Sequence, residues 1–213
     1  METAAAEKLR RTLGSHLPAA ATDSIFDFLV RHNTRLRITR QRQTKLGDYR
    51  WPQPQHPFHE ISVNGDLNPY LFLWVLLHEM AHLNTHLRHG NGVLPHGHEW
   101  QEEYRQLLLE YLETFPADLT QHILQYCRHI PLNRTIKKQI EGLLHHHDEG
   151  YSPDCHLILD QLPAGTIFRL TAKPQLLFRS IKKRRTRWHC VDLHDRKEYL
   201  VAGTAEVQVV EKG

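Results

Sequence analysis

Cysteine is scarce: the 213 residues hold three, Cys127, Cys155 and Cys190, an odd number with no CxxC pair. That excludes a disulfide framework and a cysteine-built zinc ribbon, so any metal must be held by histidine or carboxylate. Long apolar runs are missing as well. A bilayer needs roughly 20 apolar residues, whereas the longest run here, LFLWVLL at 71–77, covers two helical turns. The opening METAAAEKLRRTLG lacks the apolar core and small-residue cleavage site of a secretory signal, so a cytoplasmic protein with no membrane partner is expected. A strong excess of one charge is lacking overall, the net value being +3, but the distribution is uneven. Residues 164–213 carry 11 Lys and Arg against 5 Asp and Glu, while residues 1–163 carry 16 against 19. Two parts with different partners follow, with domains expected at 1–150 and 151–213.

The first part is patterned for mixed helix and sheet. Residues 3–13 and 23–32 have helical spacing, the second segment opening at Thr22 or Asp23 with Ile25, Phe26, Leu29 and Val30 on one face. Between 34 and 65 the period shortens: Leu36 and Ile38 alternate with arginines, TKLGDYRW follows, and His59, Ile61 and Val63 alternate with Glu60 and Ser62. Three strands are expected, the second and third separated by the proline-rich loop WPQPQHP. Asn68-Pro69 then starts a helix that stops at Gly90, since proline loses nothing at a first helical turn. Further helices are expected at 98–114, 117–129 and 134–147, the last ending in the solvated imidazoles of His145, His146 and His147. From Gly165 onward, TIFRL, LLFRSI, RWHCVDL, KEYLVAG and AEVQVV read as five short strands of a small β-barrel. The fold class is therefore α+β with a C-terminal β-barrel-like domain.

Residues 78–100, HEMAHLNTHLRHGNGVLPHGHEW, place six histidines in 23 positions. The motif HExxH acts through helix geometry: residues four apart share one face, so His78 and His82 present imidazole nitrogens to one Zn²⁺ while Glu79 stands beside the open coordination position. Chance alone supplies roughly 0.1 such matches in a chain this rich in histidine, so context decides. The motif sits in an apolar helix that follows a strand, where histidine and glutamate are otherwise costly to bury. For a third ligand the residues offer several candidates. His86 lies one turn further along the helix and His89 at its end, Glu99, Glu102 and Glu103 lie on the next helix, and His96 and His98 flank Gly97 at that helix's start. The extended HExxHxxGxxH pattern fails, with Thr85 where its glycine and Arg88 where its third histidine would stand. Spacing does not choose between His96 and His98.

The run NPYLFLWVLLHEMAHL followed by PHGHEW resembles the SprT-like metalloproteases, a family that includes the Spartan proteases acting on proteins crosslinked to DNA. The resemblance covers roughly residues 20–115, and TKLGDYRWP and HEISVN resemble the strands preceding the helix in such domains. It implies a zincin-like catalytic domain with one Zn²⁺ held by His78, His82 and His96. The third ligand then comes from the H-G-x-E-[FW] motif His96-Gly97-His98-Glu99-Trp100, and His98 takes the variable place. It also implies a zinc endopeptidase with Glu79 as general base, a protein substrate, and a link to DNA-protein crosslink repair. His98, Tyr104 and Tyr70 are candidates to stabilise the transition state, and the strand His59–Asn64 is a candidate to pair with extended substrate.

In the second part, KKRRTRW groups Lys182, Lys183, Arg184, Arg185 and Arg187. Clustered cations of this kind neutralise phosphates, and Phe168, Phe178 or Trp188 offer stacking surface, which points to single-stranded DNA as a partner. The plain alternative is a solvated hairpin. Against the protease stands a non-proteolytic nucleic-acid-binding module that keeps the zinc fold, a reading the intact Glu79 opposes. A deformylase is also disfavoured, because its cysteine ligand precedes HExxH and the first cysteine here is Cys127.

Overall fold

A computed structural model describes residues 4–42, 44–130, 133–148, 157–171 and 173–211; Cys155 lies outside them. The chain divides into two compact units, Met1–Asp148 and Glu149–Gly213. No helix among the described residues is long and apolar enough to cross a membrane.

In the first unit, helices α1 (Ala4–His16) and α2 (Ala19–Arg31) lead into the strands. Helix α2 starts well before the expected Thr22 or Asp23, because Ala19 to Ala21 are strong helix formers and Pro18 occupies the position before them. Its apolar face includes Ile25, Phe26 and Leu29, while Val30 is turned outward at 54% exposure. Strands β1 (Thr34–Thr39), β2 (Gly47–Arg50) and β3 (His59–Asn64) form a sheet of order β1-β3-β2. β1 runs parallel and β2 antiparallel to β3.

Two expectations change here. The alternation along β3 leads one to place Glu60 and Ser62 in solvent, yet they are 6% and 1% exposed. Arginines from elsewhere in the chain cover that face: Arg37 pairs with Glu60 at 3.3 Å, and Arg42 donates to Ser62 Oγ at 3.1 Å, Asn64 Oδ1 at 2.8 Å and the Leu46 carbonyl at 3.1 Å. Second, β3 is the central strand, so both of its edges are already paired and it has none to offer a substrate. Among the described residues, no strand pairs with the outer edge of β2.

Helix α3 (Pro69–His89) crosses the unit. Its residues 71–77 are all buried, which explains an apolar run with no amphipathic break: sheet and helices cover it on every side. Asn68 caps it, its Oδ1 accepting from Tyr70 N at 3.1 Å and Leu71 N at 3.0 Å. Gly90, at φ 68, ends it in a conformation open to glycine. Helix α4 (His98–Glu110) gives way to short 3-10 turns at Leu112–Thr114 and Ala117–Leu119, where longer helices were expected, before α5 (Thr120–Arg128) and α6 (Arg134–His145). Asn68 also ties α6 down, donating to the Leu144 carbonyl at 2.9 Å and Asp148 Oδ1 at 2.6 Å. The terminal imidazoles are not simply solvated: His145 Nδ1 lies 2.8 Å from Asp148 Oδ2, and the His147 ring packs edge-on against Tyr70.

In the second unit, β4 (Leu157–Ile158), β5 (Ile167–Leu170), β6 (Lys173–Lys183), β7 (Arg187–Asp192), β8 (Glu198–Ala202) and β9 (Glu206–Glu211) form an open sheet of order β4-β9-β5-β6-β7-β8. The expected barrel is not closed, since the edge strands β4 and β8 do not pair with each other. A carboxylate bridges part of the gap. Asp160, just past β4, accepts from Trp188 Nε1 at 2.8 Å and from Lys183 Nζ at 3.0 Å. Gly203 presses so closely on it that an added Cβ would overlap the carboxylate.

Asn68→Ala removes both the cap and the tether to α6. It is expected to cost about 2 kcal/mol, a fall in Tm of roughly 4–8 °C for a chain this long. Asn68→Ser keeps a capping acceptor and is expected to lose about half as much by the same thermal melt.

Candidate metal centre

Helix α3 places His78 and His82 one turn apart on one face, their rings 5.1 Å apart. The chain then leaves the helix at Gly90 and returns through Leu94-Pro95-His96-Gly97, where Gly97 N donates to the Leu94 carbonyl at 2.8 Å. This is a β-turn with proline at its second position and His96 at its third, and His96 accordingly has a positive φ of 59°. The turn aims the His96 ring at the helix. His96 Nε2 lies 3.1 Å from both His78 Nε2 and His82 Nε2. Three nitrogens around a tetrahedral ion with Zn–N bonds of about 2.0–2.1 Å stand roughly 3.3 Å apart; the two separations to His96 are close to that, and all three ligand atoms lie within 4.8 Å of one another. Among the described residues these three histidines form the group able to hold a metal.

Trp100 supports all three rings, with centroids at 4.7 Å from His78, 5.3 Å from His82 and 4.5 Å from His96. It is buried, and its Nε1 donates to the His78 carbonyl at 3.4 Å. Gln101 Nε2 donates to the His96 carbonyl at 2.9 Å and steadies the turn. Helical periodicity marks Trp100 only as a packing residue and gives Gln101 no role; their places four and five residues after His96 are the signal in the sequence that sets them against the turn.

Burial sets the electrostatics. His78 is pushed down to about 2 by burial and by the neighbouring charges of His82, His96 and Lys137, and His82 down to about 4 by burial and His96. His96 is lowered too, by burial and by Lys137. All three rings are neutral at pH 7, the form in which imidazole binds a metal. Glu79 moves the other way, to about 8, through burial and the negative Asp48. A divalent cation beside it would offset both penalties. Gly47, the first residue of β2, lies directly over this carboxylate, since a Cβ there would be 2.5 Å from Glu79 Oε1 and 2.7 Å from Val75 Cγ1.

The other candidates are not part of this group of three. Tyr104 is 1% exposed and its hydroxyl is buried without a hydrogen-bond partner among the described residues. It packs edge-on against His78 at 5.4 Å, so it touches the group of three rings from the side of the core. His98 is exposed at the first position of α4. Tyr70 lies in the first turn of α3 against His147. Glu103 pairs with Arg88 at 2.8 Å and Glu102 with Arg105, and His86 stacks on Trp51. The larger cavity, about 510 Å³ beside α2, α3 and α4, is lined by charges of both signs and by none of the three histidines.

In the second unit Lys182, Lys183, Arg184, Arg185 and Arg187 are all exposed around the β6–β7 turn. Lys183, however, is paired with Asp160. The expected stacking surface is absent: Phe168, Phe178 and Trp188 are 0%, 1% and 6% exposed, because the alternation of β5, β6 and β7 turns them into the small core.

Residues 16–120 match the model of the SprT-like family, a family of metalloprotease-type proteins. No curated protein and no solved structure gives a significant match to the chain.

His96→Ala is expected to weaken zinc binding by roughly 100-fold or more and His98→Ala to leave it within about 2-fold, both measured by competition with a chromophoric chelator. Tyr104→Phe removes an unpartnered buried hydroxyl and is expected to be neutral or to stabilise by up to about 1 kcal/mol in chemical denaturation.

Proposed function

With residues 16–120 forming a SprT-like domain, we propose that the protein is a zinc-dependent endopeptidase with a zincin-like catalytic unit. The observation that carries this reading is the convergence of His78, His82 and His96 within 3.1 Å contacts beside Glu79. His78, His82 and His96 would hold the ion, which when bound supplies Lewis acidity that polarises a carbonyl and lowers the pKa of water toward neutrality. Glu79 is the general base: its carboxylate takes the proton of the attacking water and returns it to the leaving amine, so amide hydrolysis needs no covalent intermediate. The backbone of Gly47 keeps that carboxylate in place. Lys137 on α6, whose charge is felt at His78 and His96, adds positive potential where negative charge develops.

The unpaired outer edge of β2 is the place for an extended substrate. A peptide added there is held by backbone hydrogen bonds, which give affinity with little dependence on sequence. It runs past Gly47 and therefore past Glu79. The exposed cations of the β6–β7 turn support a second element of the reading, contact with single-stranded DNA that brings the protease to DNA-bound or DNA-crosslinked proteins.

Glu79→Gln is expected to keep zinc and fold while lowering turnover of an unfolded protein substrate by about 10²–10⁴-fold; full proteolysis by this variant would favour a non-proteolytic, nucleic-acid-binding role for the zinc fold. Gly47→Ala displaces Glu79 without removing a ligand and is expected to reduce kcat by up to about 10²-fold with zinc content retained, while its overlap with Val75 costs about 1–3 kcal/mol in a thermal melt. For DNA, replacing Arg184, Arg185 and Arg187 by alanine is expected to lower the slope of log affinity against log salt by roughly 2; an unchanged slope in titrations with labelled oligonucleotide assigns the turn to solvent.

A further inference from the structure

Beside the three histidines lies a cavity of about 220 Å³. One wall is His82 itself. The next turn of α3 adds Thr85 and His86, β2 and its continuation add Tyr49 and Trp51, and the chain leading to His96 adds Val93, Leu94 and Pro95. The aromatic walls are ordered: Trp51 stacks on His86 at 6.0 Å with 12° between planes, and Tyr49 tilts against the same ring at 6.2 Å. Tyr49 is further held by its hydroxyl, 2.9 Å from His59 Nδ1. At the rim, Trp51 is 44% and Leu94 78% exposed. No Asp, Glu, Lys or Arg lines the cavity.

The geometry points to this cavity as the subsite for a large apolar or aromatic side chain of the substrate, next to the scissile bond. This rests on the endopeptidase reading above and gives it a preference. Continuity is the first argument: a chain whose carbonyl lies at His82 has its neighbouring side chain at the mouth of the cavity. Strand geometry is the second. Gly47 and Tyr49 are two residues apart on β2 and so face the same side: one covers Glu79 and the other walls the cavity, so a peptide along the outer edge of β2 meets the base and the subsite in sequence. Wall chemistry is the third. Aromatic and aliphatic surfaces gain from covering an apolar side chain, while a lysine, arginine, aspartate or glutamate would lose water and find no opposite charge. Trp51 and Leu94, exposed on their own, are the residues that such a side chain would cover.

The test uses the zinc-loaded 213-residue chain and four small probes, the hydroxamates of N-acetylated phenylalanine, leucine, glycine and aspartate, whose binding is read by tryptophan fluorescence. The phenylalanine and leucine probes are expected to bind at least 10-fold tighter than glycine, and aspartate no tighter than glycine. In Trp51→Ala and in Leu94→Asp the phenylalanine-to-glycine ratio is expected to fall toward 1. A ratio near 1 in the unaltered protein, or one unchanged in both variants, overturns the subsite. Mapping the bonds cut in an unfolded protein by mass spectrometry separates the two readings. A preserved probe ratio without any cleavage removes the endopeptidase and leaves the subsite. Cleavage with no enrichment of apolar residues, together with a ratio near 1, removes the subsite and leaves the endopeptidase.

Discussion

One imidazole nitrogen, on a turn, stands 3.1 Å from each of two others that belong to a helix whose middle is buried. Such an arrangement tolerates neither protonation, which would put like charges together, nor relaxation into solvent, because Trp100 backs all three rings. The rest of the first unit follows from holding it. Helix α3 must be apolar all round so that the fold can afford two histidines and a glutamate in its middle, the sheet must present a residue without a side chain over Glu79, and the chain must return sharply enough to bring His96 back.

Much of this was legible in the order of residues. Helix α3 announced both its ends, with Asn68-Pro69 at the start and Gly90 at the stop, and helix periodicity alone puts His78 and His82 on one face. The third ligand was of another kind. His96 and His98 have nearly the same separation from His82 along the chain, and the difference between them is a single backbone angle at a turn. The family motif carried that choice, since spacing does not encode a φ of 59°.

What failed to be legible depended on residues far apart in sequence. Glu60 and Ser62 look like the wet side of a strand until Arg37 and Arg42 are seen to cover them. β3 looks available to a substrate until β1 and β2 are both found paired to it. Aromatics among basic residues suggested base stacking, whereas Phe168, Phe178 and Trp188 are the large side chains of the small core under a six-stranded sheet. In a unit so small, large apolar side chains are needed inside before any can be spared for a surface.

The turn that carries His96 has a further implication. Two ligands belong to a rigid helix, and the third belongs to four consecutive residues whose shape is set locally by Pro95 and Gly97 and by one hydrogen bond. The centre is thus held from two sources, a helix fixed by the core and a turn fixed by its own residues, so a substitution at Pro95 or Gly97 alters the third ligand while leaving the helix that carries the other two intact.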